Sequence, residues 1–529
     1  MITFDSLTLK ALQNEETEFI TGARVNKIQQ PTRRELLLTL RNKGISRQLY
    51  VNIDPQSYHV CFPSPENLAK RHLQIPQKPP MFCMLLRKYL NNAVISKVNK
   101  PTHERILELY FDTYNELGEK TYICLAIEFM GKYSNIILYN YDTNIILGCA
   151  HNVGSEKSRA RELFGTIPYV YPPKQIKKDI LEYNGEINYS TLQNDFYEFS
   201  KAFSNQCCGQ SLEKLKDFVL LNGLSPAISA DFSQYCLFGN LLKNSNSYKS
   251  VNDMIDNYFA YHIEVAKIKS VKNNYLSVVS QRIKKMDKTI NQMKIQFDKN
   301  NNADKYRLYG DLIMANLYNL RDFSEVISVY DYENNKQIEI ELDKTKTLKE
   351  NANKFYKLYN KSKTSNEKLL QLYEAAKQNL SYNKDLEYSI NSAKDLEELF
   401  ELEDEINPEA AKPLNKKTAI EPQKIDLSNE TRIYIGKNNK QNNYIVTKLA
   451  NDEDLWFHVK DTPGSHVLLK TQKITDELIL QCAKYAKEFS TAANSVKAGV
   501  IYTKKKYLKR PPQTPLGYVT YKNEQEIVV

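Results

Sequence analysis

Apolar residues recur at two different periods along this 529-residue chain, and the change of period divides it. Up to about residue 172 the dominant period is two. In RILELYFDT, Leu107, Leu109 and Phe111 alternate with Ile106, Glu108 and Tyr110, which predicts a β-strand. TYICLAIEFMGKYSNIILYN predicts a hairpin: Leu125, Ile127 and Phe129 share a face, Gly131 and Lys132 fall at the turn, and NIILYN returns. RVNKIQQPTRRELLLTLRN holds two further apolar stretches divided by Pro31, and the prolines of YVYPPKQ close this mostly stranded segment.

Residues 173–250 read as helices. SLEKLKDFVLLNGLSPAISADFSQYCLF predicts a helix, a short turn and a second helix, with Ser225 as N-cap and Pro226 as first helical residue. Such a helix-hairpin-helix offers backbone amides to a nucleic-acid phosphate, and it is equally common as a purely structural unit. Residues 251–408 change to heptad spacing. Val279, Ile283, Met286, Ile290, Met293 and Phe297 form one stripe, and Leu369, Leu372, Ala376, Asn379, Asn383, Leu386, Ile390 and Ala393 form another. Two such stripes predict a long antiparallel coiled coil, interrupted by a middle insert at 300–347 that contains KYRLYGDLIMANLYNL and IEIELD. As a helix, residues 263–297 alone would extend about 50 Å. The arm is polarised: KTKTLKENANKFYKLYNKSK is basic and DLEELFELEDEINPE acidic, which suits either RNA contact or the solvated faces of a coiled coil. A proline-containing linker at 409–424 leads to residues 425–529. There TRIYIGKNNKQNNYIV predicts strand, turn, strand, TDELILQCAKYAKEFS a helix, and AGVIYTKKKYLKRPP and GYVTYKN further strands, giving a small α/β domain. The fold class expected is a multidomain α+β protein.

Charge sharpens this division. The formal net charge is +10, and residues 431–529 carry 16 Lys and Arg against 9 Asp and Glu, a surplus of 7 that favours a polyanionic partner. The eight cysteines form no C-x-x-C pair, so neither a zinc ribbon nor a disulfide framework is expected. With no secretory signal and no apolar run of membrane-spanning length, a cytoplasmic protein without a membrane partner is expected.

The stretch DLWFHVKDTPGSHVLLK gathers the single tryptophan, two histidines, two aspartates and a serine. His458 and His466 lie eight apart without a third clear ligand, so no metal is expected. Ser465 beside His466 does not make a triad, and no nucleophile elbow or phosphate loop is present, so no catalytic residue and no cofactor are expected. As a strand, the stretch puts Trp456, His458 and Lys460 on one face, a set that suits RNA through stacking and phosphate attraction. His466 joins them as a candidate, and KKKYLKR adds Lys504, Lys505, Lys506, Lys509 and Arg510. The competing reading makes Trp456 core and the histidines its hydrogen-bonded supports.

The blocks GKN, DLWFHV and PGSHV together resemble the signature of an NFACT-R domain, and the likeness to the bacterial, RqcH-like branch of the NFACT family runs from FDSLTL to GYVTY. This family is also known as fibronectin-binding protein A. The resemblance implies a glycosylase-like NFACT-N domain at 1–172, a helix-hairpin-helix at 173–250, the coiled coil with its insert, and an RNA-binding NFACT-R domain at 425–529. Ile2 stands where the glycosylases carry their proline nucleophile. It implies a non-enzymatic factor of ribosome-associated quality control. That factor would bind large ribosomal subunits obstructed by peptidyl-tRNA, reach the stalk base with its coiled coil, and recruit alanine tRNA for template-free C-terminal alanine tailing by the ribosome. Two tRNA-recruiting motifs carry over: an Asp-Arg pair onto Glu104 and Arg105, and a Glu-Ile-Met run onto Glu128, Phe129 and Met130. Phe164 and Gly165 replace a Pro-Gly pair. The alternative is a surface adhesin that binds fibronectin.

Overall fold

Asp5 starts the first helix by accepting the backbone N–H of Thr8 at 2.9 Å, an N-cap ahead of Leu7, Leu9 and Leu12, which the core buries. The computed structural model describes residues 4–114, 118–156, 161–301, 303–332, 334–407, 421–428 and 430–529. Ile2 and most of the 409–424 linker lie outside these residues. The chain divides into two compact units, Met1–Lys267 and Ile268–Val529.

In the first unit, helices α1 (Ser6–Ile20), α2 (Pro65–Lys70) and α3 (Met81–Leu90) accompany a nine-stranded sheet. Its strands are β1 (Arg24–Gln29), β2 (Glu35–Asn42), β3 (Ile45–Asn52), β4 (His59–Cys61), β5 (Val94–Asn99), β6 (Ile106–Tyr114), β7 (Lys120–Glu128), β8 (Asn135–Asn140) and β9 (Ile145–Cys149). They run in the order β4-β3-β2-β1-β5-β6-β7-β8-β9, every pair antiparallel. The order follows from a repeat in the sequence: Val25, Lys27, Pro31 and Thr32 recur 70 positions later as Ile95, Lys97, Pro101 and Thr102. Both copies carry a β-bulge at the same place, between Val25 and Lys27 and between Ile95 and Lys97. Both leave their helix through a residue with positive φ, Gly22 at 83° and Asn92 at 63°. The two copies meet reciprocally, Gly22 N–H bonding the Ile95 carbonyl at 2.8 Å and Asn92 N–H the Val25 carbonyl at 2.9 Å. The segment read as mostly strands therefore also holds α1 and α3, which begin the two copies.

Beyond the sheet come α4 (Leu192–Asp195), α5 (Lys201–Gln206) and α6 (Leu212–Leu220). The helical pair exists, but α5 and α6 make it, turning at Gly209 with φ 83°. Residues from Ser225 onward are not a second helix. They form a small sheet of β10 (Ala227–Ser229), β11 (Tyr235–Cys236) and β12 (Ser245–Ser247), because the apolar Ala227, Ile228, Cys236, Leu237 and Phe238 bury as short extended pieces around polar turns. Helix α7 (Val251–Asn301) begins in this unit. There the fully buried Arg71 guanidinium pairs with Asp256 at 2.9 Å, and the same carboxylate accepts from Ser64 N–H at 2.9 Å and Asn67 Nδ2 at 2.8 Å.

The second unit contains the rest of α7, α8 (Asp304–Ala315), the hairpin β13 (Val326–Asp331) and β14 (Lys336–Glu341), and α9 (Leu348–Ser392). Helices α7 and α9 pair antiparallel: Asn383 Nδ2 reaches Met286 Sδ at 3.6 Å, the Phe297 ring meets Tyr373 edge-on at 6.0 Å, and Asn300 bonds Asn366 at 2.7 Å. Leu372, placed in the seam by heptad spacing, is exposed, and its neighbour Tyr373 takes the seam position. The seam is most deeply buried near Val279, Leu386 and Ile390, and Ile290 is buried further along it. Acidic residues after α9 are not coiled-coil faces. They fold as α10 (Leu396–Glu401) and α11 (Glu403–Ile406), whose Leu396, Leu399, Leu402 and Ile406 pack on Val279, Leu386 and Ile390.

The last domain is a six-stranded antiparallel sheet in the order β15-β16-β18-β17-β19-β22. Its elements are β15 (Gln423–Asp426), β16 (Arg432–Ile435), α12 (Asn439–Tyr444), β17 (Leu455–Val459), β18 (Val467–Lys470), α13 (Asp476–Glu488), β19 (Gly499–Lys504), β20 (Leu508–Lys509), β21 (Thr520–Tyr521) and β22 (Gln525–Val528). The strand expected at YIV is instead helical. Asn438 accepts from Gln441 N–H at 2.9 Å to cap α12, which runs on into a π-turn at Ile445–Leu449.

Removing one member of the buried Arg71–Asp256 pair strands its partner's charge. Asp256→Ala is expected to destabilise the first unit by about 3–5 kcal/mol, read as a lowered urea midpoint by circular dichroism.

Candidate nucleic-acid interface

Two surfaces gather the residues singled out from sequence. The first is a cleft of about 460 Å³ in the first unit, lined by Glu104, Arg105 and Met130 together with His103, Tyr133, Lys177, Tyr197, Glu198 and Lys201. Arg105 sits where β6 begins, its carbonyl accepting Phe129 N–H at 2.9 Å, and its guanidinium reaches Tyr58 Oη at 3.4 Å. His103, held at φ 65°, stacks on Tyr197 at 4.0 Å and approaches Glu198 Oε1 at 3.3 Å. Burial and then the neighbouring Arg105 charge hold Lys177 below the ordinary lysine range, while burial raises Glu104. The cleft thus presents closely set cations, an aromatic stack and an exposed Tyr133, a combination that can hold phosphate and stack a base.

Glu128 and Phe129, also named as tRNA contacts, are fully buried and stand behind the cleft. The Glu128 carboxylate pairs with Arg161 and accepts from Tyr169 Oη at 2.9 Å, and Phe129 packs edge-on against Phe4 at 5.2 Å. They brace the strand end from which Met130 reaches the cleft. Sequence reading missed Lys177, Tyr197 and Lys201, because they come from segments far from both motifs, and it missed His103, which lies directly before Glu104, because nothing local shows that its ring stacks on Tyr197.

The second surface is the last domain. Its sheet has a core on each face. Leu455, Phe457 and Val459 pack with α13 on one side, while Trp456 joins Ile445, Val446, Leu468, Ile501 and Leu508 on the other. Trp456 is only 2% exposed. It stacks parallel to His458 at 5.8 Å and meets His466 edge-on at 5.0 Å. Trp456 and His466, named as RNA contacts, are therefore core, and His458 lies beside them half-buried. The π-turn after α12 covers this face, and alternation along the strand cannot reveal that. What stays at the surface is basic. Lys460 pairs with Glu526 at 2.7 Å, Lys504 and Lys506 share Glu453 at 2.7 Å each, and Lys505 approaches Asp452 at 3.5 Å. Lys509 and Arg510 are exposed, with no carboxylate paired to them among the described residues.

The two turns of this domain interlock. Gly436 N–H bonds the His466 carbonyl at 3.0 Å, and His466 N–H bonds Asn442 Oδ1 at 3.0 Å. A Cβ on Gly436 would lie 2.3 Å from Asn442 Oδ1, and one on Gly464 would lie 2.7 Å from Ser490 Cβ. Both glycines are required by close approach.

Residues 5–424 match the family profile described as NFACT N-terminal and middle domains, and residues 424–523 match that of the NFACT protein RNA binding domain. The chain belongs to the NFACT family. It is 28% identical over 564 aligned residues to the protein named Rqc2 homolog RqcH of Bacillus subtilis (strain 168), covering 100% of this chain and 98% of that one. Its identity to the Rqc2 homolog RqcH of Streptococcus pneumoniae (strain D39) is 27% over 551 residues, with the same coverage. The solved N-terminal part of the fibronectin/fibrinogen-binding protein from Streptococcus suis is 25% identical, with a TM-score of 0.43, covering 49% of this chain and 99% of that one. In this NFACT protein no helix among the described residues is long and apolar enough to cross a membrane, and no group of metal-ligating residues is found among them.

The histidines make the RNA-binding domain acid-sensitive. Burial lowers His458 from 6.5 to about 4, and burial with the adjacent His458 holds His466 well below its ordinary value. The unfolded state takes up these protons first, so their contribution is full above about pH 6.5 and is lost as pH falls toward 4. Asp385 on α9, raised to about 7 by burial, acts with the opposite sign. The informative quantity is thus the difference between wild type and His458→Gln, followed by the emission of the single tryptophan. Wild type is expected to lose up to about 1.4 kcal/mol more per pH unit across this window.

Proposed function

We propose that this chain is a factor of ribosome-associated quality control that binds RNA on the large ribosomal subunit and recruits tRNA to it. The observation that carries the reading is the joining, in one chain, of a matched NFACT RNA-binding domain to a cleft that holds the Glu104 and Arg105 pair. Full-length similarity to the proteins named Rqc2 homolog RqcH supports it. Arg105 and Lys177 contribute cations to the lining, Tyr133 an aromatic surface, and Glu104 a carboxylate able to accept from a base edge. The finer reading is that obstructed subunits carrying peptidyl-tRNA are bound, that the paired α7 and α9 helices reach the stalk base, and that alanine tRNA is recruited. Peptidyl transfer, and hence alanine tailing, is assigned to the ribosome. The site of action on this reading is the cytoplasm.

Sequencing the RNA that copurifies with tagged protein tests the reading: large-subunit RNA and alanine tRNA should both be enriched, and enrichment of neither would end it. Arg105→Ala should cut tRNA recovery at least about tenfold, the scale of one charge-assisted hydrogen bond, while subunit recovery stays near wild type. Equal loss of both would show that the cleft is not a separate tRNA site.

A further inference from the structure

We propose that residues 437–441 are a phosphodiester-binding face of the RNA-binding domain, and that the acidic helices α10 and α11 of the same chain occupy it in place of nucleic acid. The proposal rests on the RNA-binding reading above and adds to it a site and its resident competitor.

Residues 395–405 hold seven Asp and Glu and no Lys or Arg. Their apolar stripe packs with α7 and α9, and the carboxylates of Glu398, Glu401 and Asp404 meet donors of the last domain. Lys437 Nζ pairs with Glu398 at 2.6 Å, and Lys440 Nζ pairs with Asp404 at 3.3 Å and bonds the Glu401 carbonyl at 2.8 Å. Asn438 Nδ2 reaches Glu401 Oε2 at 3.1 Å. Two ammonium groups and side-chain amides converging on oxyanions are the donor set that phosphates recruit.

Two further observations distinguish a stand-in from a permanent joint. Glu405 is 8% exposed, and its Oε2 accepts from Tyr382 Oη at 2.6 Å and Asn439 Nδ2 at 3.4 Å, yet its Oε1 has no hydrogen-bond partner among the described residues. The contact therefore leaves one buried carboxylate oxygen unmatched. In addition, no apolar cluster among the described residues spans this contact: the cluster that holds α10 and α11 contains no residue of the last domain, and neither cluster of that domain contains a residue of α9, α10 or α11. A contact built from charges and amides alone is weakened by salt and open to exchange with another polyanion. The 437–441 face is separate from the lysines around Glu453, which pair within the domain itself.

Fluorescence anisotropy of a labelled oligouridine with the full-length protein tests this, since that probe reports backbone binding without base readout. The variant Glu398→Gln, Glu401→Gln, Asp404→Asn should bind about tenfold tighter than wild type at low salt, and Lys437→Gln with Lys440→Gln in that background should erase the gain. The milder Glu401→Gln alone should gain about threefold and guards against misfolding of the triple variant, which circular dichroism checks directly. Folded variants that bind no tighter than a wild type that itself binds RNA would overturn the masked site and leave the RNA-binding reading standing. A gain that survives loss of both lysines would do the same. If neither wild type nor variants bind, both readings fall.

Discussion

A charge withdrawn from water has to be met by a partner, and this requirement shapes both units. Arg71 is buried completely because Asp256 lies 2.9 Å away, and that carboxylate also gathers the Ser64 and Asn67 donors. The start of α7 is thereby fixed against the turn after β4. Glu128 is held in the same manner by Arg161 and Tyr169, which keeps the end of β7 rigid behind the cleft. In the second unit, Lys437 and Lys440 are met by carboxylates of α10 and α11, at a half-exposed surface where exchange is feasible.

This difference in burial separates structure from function. Fully buried pairs can only brace, since opening them leaves a bare charge in the interior. Glu128 therefore supports the cleft, and the Arg105 guanidinium makes one long hydrogen bond among the described residues, to Tyr58. The internal repeat adds a second constraint. Two related copies joined through β1 and β5 give a sheet whose second copy carries Glu104 and Arg105 at the positions of Arg34 and Glu35 in the first. The fold thus uses one copy mainly for scaffolding and the other for the cleft.

Much of the fold was legible in the chain. Alternation marked β6, β7 and β8, and heptads marked α7 and α9, because burial on one face imposes those periods locally. The second helix expected from Ser225, the strand expected at YIV and the seam position of Leu372 differ from the structure, since Pro226, the capping Asn438 and the adjacent Tyr373 fit more than one local structure. For the sites, the Glu104 and Arg105 pair and the basic KKKYLKR run were visible as residues. That Lys177 and Tyr197 complete the cleft was not, because nothing in their own neighbourhood marks them.

The sequence alone determined the domain order, the basic character of the last domain and the family signature, since these depend on composition and short-range pattern. Tertiary structure decided which signature residues are buried and which are exposed. Trp456 and His466 are buried, Trp456 because Ile445 and Val446 of the π-turn after α12 pack over it, and a strand's alternation is silent about what covers its second face. It also decided that the acidic stretch lies on Lys437 and Lys440, since attraction between opposite charges 39 positions apart, Glu398 and Lys437, or 36 apart, Asp404 and Lys440, acts only once folding has closed the distance.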